Sequence, residues 1–435
     1  MTVPMILGMI MLMTFSLVDT FFVSLLGTNE LAAISFTFPV TFTIISLNIG
    51  LGIGTSAVIG KCLGSGDAEQ AKVLGAGAIV LSVLLVFVLA LITFFLLDEI
   101  FMAMGATDIT LPLIKEYMHV WLISGVFLAI PMVGNSVLRA NGDTKTPSVI
   151  MAAGGAINAA LDPLLIFGWG PVPALGIQGA AIATAIAWAV GSVWIIYLLA
   201  VKRRLIEATF PTISELRQTS SGILSIGLPA AGANMLTPIA GAIMTAIVAS
   251  YGETAVAAWG VGSRLESMAC IVVLALSMSL PPFVSQNYGA NNWQRISAAY
   301  QMCMKFVIAW QLFIFIVLAM LAIPVAITFA KEQEVRDLIK LFIFIVPLGY
   351  GLQGVIILTN SSLNAMHRPM AGLALSLVRL FICYIPVAYI GSLLFELSGL
   401  FWGCVIANLI AAFVSYLWFS NELKNRQTQE EIPAK

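Results

Sequence analysis

Residues 27–35 read GTNELAAIS and residues 252–260 read GETAVAAWG, so that two matching stretches begin 225 positions apart. Three further pairs keep that spacing: Pro4 and Pro229, Gly64 and Gly289, and Asn135 and Asn360. A fixed spacing maintained over most of a chain indicates an internal repeat. The sequence therefore predicts two copies of one unit of about 220 residues, joined near residues 202–218.

The composition excludes a water-soluble protein. Of the 435 residues, 60% are hydrophobic and 9% are charged, and the mean hydropathy is +1.02. A soluble domain carries about 25% charged residues, so this chain cannot cover its surface with groups that water solvates. The five cysteines stand singly, without the spacing of a metal site or a disulfide framework. We therefore expect an all-α integral membrane protein without a cofactor.

Apolar runs near the ~20 residues that cross a bilayer predict twelve transmembrane helices, called spans 1–12. They lie at 3–26, 32–60, 73–97, 117–139, 147–168, 176–200, 221–250, 254–284, 297–328, 335–362, 370–394 and 399–420. Each copy holds six spans, and an even number returns the chain to its starting side, so both copies enter the membrane in the same orientation. Such parallel repeats are related by a pseudo-two-fold axis along the membrane normal, and transporters bind substrate between them.

The spans divide the chain into four parts. We expect a six-helix lobe at 1–201, a cytoplasmic linker at 202–219, a second six-helix lobe at 220–420 and a cytoplasmic tail at 421–435. Of the 20 lysines and arginines, 14 fall on the side of the N-terminus and 4 on the opposite side, the other two lying within spans. Basic residues concentrate on the cytoplasmic side. This bias predicts that both termini are cytoplasmic, in a protein of the inner (plasma) membrane.

Three acidic residues, Asp19, Asp162 and Glu266, fall well inside the predicted spans. A carboxylate at the bilayer centre costs about 2.5–3.5 kcal/mol, so such residues usually face a cavity and carry a function. Asp19 and Asp162 both lie about 10 Å below the outer surface, at 1.5 Å per residue. Asn158 is one helical turn from Asp162, and Thr184 in span 6 has a similar depth. The four oxygen-bearing residues of the first copy are predicted to form a cation-coupling site.

Pro163 follows Asp162 directly and supplies no amide hydrogen. The carbonyl of Ala159 is therefore left without its helical partner, which weakens span 5. Oxygens grouped in this way suit a sodium ion or a protonated water cluster. Two neighbouring carboxylates in a low dielectric also resist joint ionisation, so that one takes up a proton. Proton coupling is the preferred prediction, and Na+ binding by the same four residues is the alternative.

The second copy lacks these acids. At the 225-residue spacing, Asp19 corresponds to Met244 and Asp162 to Val387. A feature of shared architecture would tend to occur in both copies, so a charge found in one copy alone indicates a specialised task. Ion coupling is therefore predicted to belong to the N-terminal lobe.

Glu266 and Arg379 are secondary candidates. Arg264 lies two residues from Glu266, and residues at that separation do not face each other on a helix. A structural pairing with another helix and a role in transport both fit Glu266. Arg379, in the middle of span 11, would neutralise an acid, contact a substrate or bind backbone carbonyls.

Several stretches resemble the multidrug and toxic compound extrusion (MATE) transporters. In the first half they are VDTFFVSLLG (18–27), LRANGDTKTP (138–147) and INAALDPLLIFGWGPVPALGIQGAAIAT (157–184). In the second half they are GLPA (227–230), PPFVSQNYGAN (281–291) and LNAMHRP (363–369). The acids in spans 1 and 5 are similar to those of the prokaryotic DinF-like branch.

The resemblance implies two six-helix lobes and export driven by inward flow of H+ or Na+. It also implies a cation site made by an Asp of span 1, an Asn and an Asp of span 5 and a Thr of span 6, which match Asp19, Asn158, Asp162 and Thr184. We therefore expect a multidrug antiporter, not an enzyme, that exports bulky amphipathic or cationic drugs and dyes by alternating access. It is expected to be a monomer surrounded by membrane lipids and to bind no nucleic acid.

Two other functions stay open. A lipid-linked oligosaccharide flippase of the same superfamily would need a charged central cavity, whereas Arg264 and Arg379 are the two basic residues deep in the spans. An intramembrane aspartyl protease is the remote alternative, because residues 64–67 read GSGD, a GxGD motif. Asp67, however, is predicted to lie in a cytoplasmic turn, and no Tyr-Asp pair is present.

Overall fold

The computed structural model describes residues 2–168, 173–207, 209 and 211–430, without the side chains of Leu12, Phe15, Ser16 and residues 427–430. Every regular element in this part of the chain is a helix. The all-α fold class is therefore confirmed. The chain divides into two compact units, Met1–Ala231 and Gly232–Lys435.

The first unit begins with seven helices. They are α1 (Thr2–Ser24), α2 (Thr28–Gly64), α3 (Ala68–Phe95), α4 (Leu97–Ala103), α5 (Thr110–Ala140), α6 (Lys145–Phe167) and α7 (Gly176–Ile196), which a π-helical turn (Tyr197–Lys202) continues. The next helix, α8 (Ile213–Ala249), contains the boundary between the two units.

The second unit continues with eight helices. They are α9 (Glu253–Ala269), α10 (Ile271–Gly289), α11 (Trp293–Met320), α12 (Ala322–Phe329), α13 (Gln333–Ile345), α14 (Tyr350–Ala365), α15 (Pro369–Leu377) and α16 (Ile385–Glu430). A 3-10 turn (Val346–Gly349) joins α13 to α14, and a π-helical segment (Val378–Tyr384) joins α15 to α16.

These helices account for the twelve predicted spans. Among the described residues, nine stretches are long and apolar enough to cross a membrane, and α9 with α10 makes a tenth that is bent by 41°. One of the nine, Pro369–Arg426, has 58 residues and turns at Phe395 and Glu396, where φ is −138° and 53°. The backbones of Gly391 and Gly399 come so close that a Cβ on either would overlap the carbonyl of the other. This stretch is therefore a hairpin of two spans, and α1, with 23 residues, is the twelfth.

The repeat is visible in the way equivalent helices begin. Asp67 Oδ1 accepts a hydrogen bond from the amide of Gln70, three residues on, at 3.0 Å. Asn292, 225 positions later, accepts one from the amide of Arg295 at 3.2 Å. The two side chains thus cap the first turns of α3 and α11. Asp67, the acid of the GxGD motif, is exposed in this turn and has a structural role there.

We expect Asp67→Ala and Asn292→Ala each to lower the free energy of unfolding by about 1 kcal/mol, because each substitution leaves an amide at a helix start without its acceptor. Thermal unfolding of the purified protein in detergent measures the change. Asp67→Asn and Asn292→Asp keep an accepting oxygen and are the matched controls, with most of the stability retained. Equal losses in the controls and in the alanine variants would contradict the capping role.

In the first unit, α6 packs against both α1 and α7. Gly8 of α1 faces Ser148 of α6, where an added Cβ would lie 3.1 Å from the Ser148 Cα. At Gly179 of α7, an added Cβ would lie 2.5 Å from the carbonyl oxygen of Leu165. Small residues allow membrane helices to approach closely in this way. The three helices that carry the predicted cation site are thus neighbours.

Some boundaries differ from the sequence prediction. The short helix α4 occupies the connection after span 3, and α12 is separate from α11 although the sequence treats 297–328 as one span. The predicted linker includes the first turns of α8, and α16 extends into the predicted tail. Residues 169–172 of the connection after span 5, residues 208 and 210 of the linker and residues 431–435 of the tail lie outside the described residues. A hydropathy pattern shows how apolar each stretch is and not where the backbone changes direction. It therefore predicts neither the short helix α4 nor the separation of α12 from α11.

Candidate functional site

Asn158 joins α6 to α7 through its side-chain amide. Its Nδ2 donates to Oδ1 of Asp162, one turn further along α6, at 3.3 Å. The same nitrogen donates to Oγ1 of Thr184 on α7 at 3.2 Å. Thr184 in turn donates to the carbonyl oxygen of Ala180 at 3.0 Å. Three of the four residues predicted for the cation site therefore form one hydrogen-bonded chain.

Asp19 of α1 brings the fourth side chain to this cluster. Its carboxyl group lies within side-chain hydrogen-bonding range of the Asp162 carboxyl group. Among the described residues, Oδ1 of Asp19 and Oδ2 of Asp162 are buried oxygens without a hydrogen-bond partner. The Asp162 side chain is 0% exposed, and Asp19 is half-buried. The structure thus brings all four predicted residues together at the contact of α1, α6 and α7.

This geometry restricts the chemistry of the cluster. Two carboxyl groups in contact attract each other only when one carries a proton, since two carboxylates repel. A buried oxygen without a donor is also costly, and a proton or a bound cation removes that cost. The cluster is therefore suited to binding a proton or a small cation reversibly.

Pro163 lies inside α6, which continues past it to Phe167. Because proline has no N–H, the carbonyl of Ala159 lacks its usual helical donor. The proline next to Asp162 removes one hydrogen bond without ending the helix.

Tyr117 of α5 is the residue of this cluster that the sequence prediction missed. Its side chain is 8% exposed and lies within electrostatic range of both Asp19 and Asp162. The sequence placed the start of span 4 at residue 117, where a tyrosine is typical of the membrane interface. The helix begins at Thr110 instead, so Tyr117 lies about 10 Å inside it, at the depth predicted for the two acids.

A second polar cluster lies in the second unit. Gln353 Nε2 of α14 donates to Oε1 of Glu266 on α9 at 2.9 Å. Arg379 of the π-helical segment is within electrostatic range of Glu266, and its Nε is buried without a hydrogen-bond partner. Arg264, in contrast, is exposed. The structure therefore brings Glu266 and Arg379 together and separates Arg264 from them.

Comparison with known proteins identifies the family. The sequence model of the MatE family matches residues 4–164 and again residues 229–390. The chain belongs to the MatE family. Its members are transporters of small molecules and not enzymes, and the expected resemblance to MATE transporters is confirmed.

Relatives of this MatE protein include transporters with different named substrates. The FAD transporter of Shewanella oneidensis is 42% identical over 416 residues, which cover 96% of this chain and 92% of the relative. The multidrug export protein MepA of Staphylococcus aureus is 24% identical over 419 residues, covering 96% and 91%. A crystal structure of the Vibrio cholerae MATE transporter VcmN in the bent form is 35% identical, covers 98% of this chain and 96% of that chain, and has a TM-score of 0.93.

The two matches to the family model also confirm the internal repeat, since they begin 225 positions apart, at residues 4 and 229. The two copies in this MatE protein nevertheless differ at the candidate site. Met244, the equivalent of Asp19, has a fully buried side chain in an apolar core. The carboxyl pair is thus a feature of the first copy, and the Glu266 cluster of the second.

Proposed function

We propose that this MatE protein is a secondary active exporter that exchanges protons for a small molecule, with Asp19 and Asp162 as the proton carriers. The observation that supports the proposal is the contact between the two carboxyl groups, each with one buried oxygen that lacks a partner. Asn158 and Thr184 orient Asp162 through their hydrogen-bonded chain.

Proton binding at this pair has a mechanical consequence. With one proton shared, Asp19 on α1 and Asp162 on α6 attract each other. When the proton leaves, two like charges about 4 Å apart repel by about 4 kcal/mol at an effective dielectric of about 20. Such an energy is sufficient to shift a two-state equilibrium about a thousandfold. Protonation therefore controls the packing of α1 on α6. A change in this packing couples proton uptake to substrate release.

Sodium is the alternative coupling ion. It would need several oxygen ligands directed at one point, and Asp19 and Asp162 each supply a free oxygen. The side chain of Asn158, however, presents its amide nitrogen to Asp162 and Thr184, and an N–H group cannot act as a ligand to a sodium ion. Proton coupling is therefore the preferred proposal.

We expect transport in sodium-free liposomes when a pH gradient is imposed, because a proton alone relieves the repulsion within the carboxyl pair. Purified protein reconstituted into liposomes, with potassium salts on both sides, is the test, and liposomes without protein are the control. Transport that appears only after sodium is added would overturn the preference for protons.

Two substrate classes follow from the relatives. The relative with 42% identity is named a FAD transporter, so we infer that flavin dinucleotides or similar molecules are the first class. The relative with 24% identity is named a multidrug export protein, so cationic drugs and dyes are the second. Uptake of FAD and of ethidium by the same liposomes separates the two classes. Transport of ethidium without transport of FAD would show that cationic dyes, and not flavin dinucleotides, are the preferred substrate class.

The membrane and the topology are inferred from the distribution of charge. We infer a protein of the inner membrane with both termini in the cytoplasm, and the 14 to 4 distribution of lysine and arginine between the two sides supports this orientation. A cytoplasmic reporter fused to the C-terminus tests the topology. An extracytoplasmic reporter signal would contradict it. The match to a family of small-molecule transporters favours this function over a lipid-linked oligosaccharide flippase.

A further inference from the structure

Arg379 is a membrane-embedded arginine whose donors are incompletely used. It lies in the π-helical segment Val378–Tyr384 between α15 and α16, and π-helical turns within longer helices often mark functional positions. Its Nε is buried without a hydrogen-bond partner, and Arg379 forms no ion pair within 4.0 Å among the described residues. The residue as a whole is partly exposed, while its Nε is buried.

The nearby carboxylate of Glu266 forms no ion pair with this arginine within 4.0 Å. Glu266 is within electrostatic range of Arg379 but is held by a hydrogen bond from Gln353 at 2.9 Å. Glu266 also lies in the last turn of α9, which ends at Ala269, where the negative end of the helix dipole disfavours a carboxylate. Gln353 and Arg379 offset that effect. The Glu266 carboxylate is thus a counter-ion near the Arg379 guanidinium group that accepts no hydrogen bond from its Nε.

A second donor within electrostatic range of Glu266 also lacks an acceptor. Tyr350, at the start of α14, is 1% exposed, and its hydroxyl group has no hydrogen-bond partner among the described residues. Tyr350 lies within electrostatic range of Glu266. A buried donor without an acceptor costs about 1–3 kcal/mol. Two donors, one on α14 and one on the π-helical segment, thus lie within electrostatic range of Glu266 without an acceptor of their own.

We propose that Arg379, assisted by Tyr350, binds an anionic group of the transported molecule, of the phosphate or carboxylate class. A guanidinium group presents a planar fork of donors that matches these anions. This inference rests on the proposed function, because it assigns the recognition of the substrate's anion to the second unit, while the carboxyl pair of the first unit carries the proton. A phosphate ester such as that in a flavin dinucleotide supplies acceptor oxygens for these two unpartnered donors.

Riboflavin and FAD provide a matched pair of ligands, since riboflavin carries the same ring system without the phosphates. We expect Arg379→Gln in the full-length protein to weaken FAD binding at least about tenfold, the loss of one charge-assisted contact, and to change riboflavin binding less than about twofold. Quenching of flavin fluorescence measures both dissociation constants. Arg264→Gln, which removes an exposed arginine of the same unit, is the matched control and should leave both constants unchanged.

Inorganic pyrophosphate separates this inference from the choice of FAD as substrate. It should raise the Tm of the wild-type protein and of Arg264→Gln but not that of Arg379→Gln. If Arg379→Gln does not fold, Arg379→Lys and Tyr350→Phe replace it, each with a smaller loss of FAD affinity. If the wild-type protein does not bind FAD but shows the Arg379-dependent rise in Tm with pyrophosphate, FAD is not the substrate and the anion site is supported. FAD and pyrophosphate responses that are independent of Arg379 would overturn the anion site.

Discussion

Asp162→Asn and Asp19→Asn are each expected to abolish transport driven by a pH gradient. Either substitution removes one of the two carboxyl groups that face each other, so the pair no longer alternates between attraction and repulsion. An asparagine keeps nearly the same volume, and at position 162 it can still accept the hydrogen bond from Asn158. The fold should therefore persist, and the rate in liposomes should fall to that of liposomes without protein.

Asp143→Asn is the matched control for these two variants. Asp143 lies between α5 and α6, outside the spans. Partial burial tends to raise its pKa, but hydrogen bonds from Thr146 and the charge of Arg203 together hold the pKa below its usual value. This acid thus stays ionised at neutral pH and cannot carry a proton. The control should transport normally, and near-normal transport by both Asp162→Asn and Asp19→Asn would remove the basis for the proposed coupling site.

Gly399→Val is expected to prevent correct folding of the second unit. A Cβ at this position would overlap the backbone carbonyl of Gly391 across the helical hairpin. Neither backbone can move without separating the two spans, so the cost exceeds the roughly 1–3 kcal/mol typical of an overpacked core. The amount of monodisperse protein after detergent extraction, together with its Tm, measures this effect.

Gly260→Val controls for the general cost of valine at a helical glycine. Gly260 lies inside α9, where an added Cβ meets no atom within 4 Å. The control protein should therefore be recovered in normal yield. If Gly399→Val and Gly260→Val are recovered equally, the hairpin between Pro369 and Arg426 does not contain the close contact of Gly391 with Gly399.

Most of the architecture could be predicted from the sequence, because a span must be both long and apolar. The repeat and the even number of spans per copy follow from residue spacing alone. The break between α9 and α10 could not be predicted, since 254–284 reads as one apolar run. At that break, the carbonyl oxygen of Ala269 accepts a hydrogen bond from the side chain of Gln311 on α11 at 3.0 Å. The sequence does not show which helix supplies such a donor.

The candidate site, too, could be predicted only in part from the sequence. Depth along the helices was sufficient to group Asp19 with Asp162, because both are acids in an apolar environment. Tyr117 was missed since its depth depends on where α5 begins, and apolar runs define helix ends poorly. Gln353 was missed as the partner of Glu266 because an uncharged residue in a span carries little signal. Long-range pairing between helices is set by packing and not by local pattern.

The most direct measurement of the central claim is the proton movement that substrate itself causes. Liposomes containing the protein and a trapped pH-sensitive dye, in sodium-free buffer without an imposed gradient, receive FAD or ethidium on one side. The proposed exchange predicts a change of internal pH with the wild-type protein and none with Asp162→Asn. Substrate movement by the wild-type protein without any pH change, or an equal pH change in both proteins, would contradict proton coupling through the Asp19–Asp162 pair.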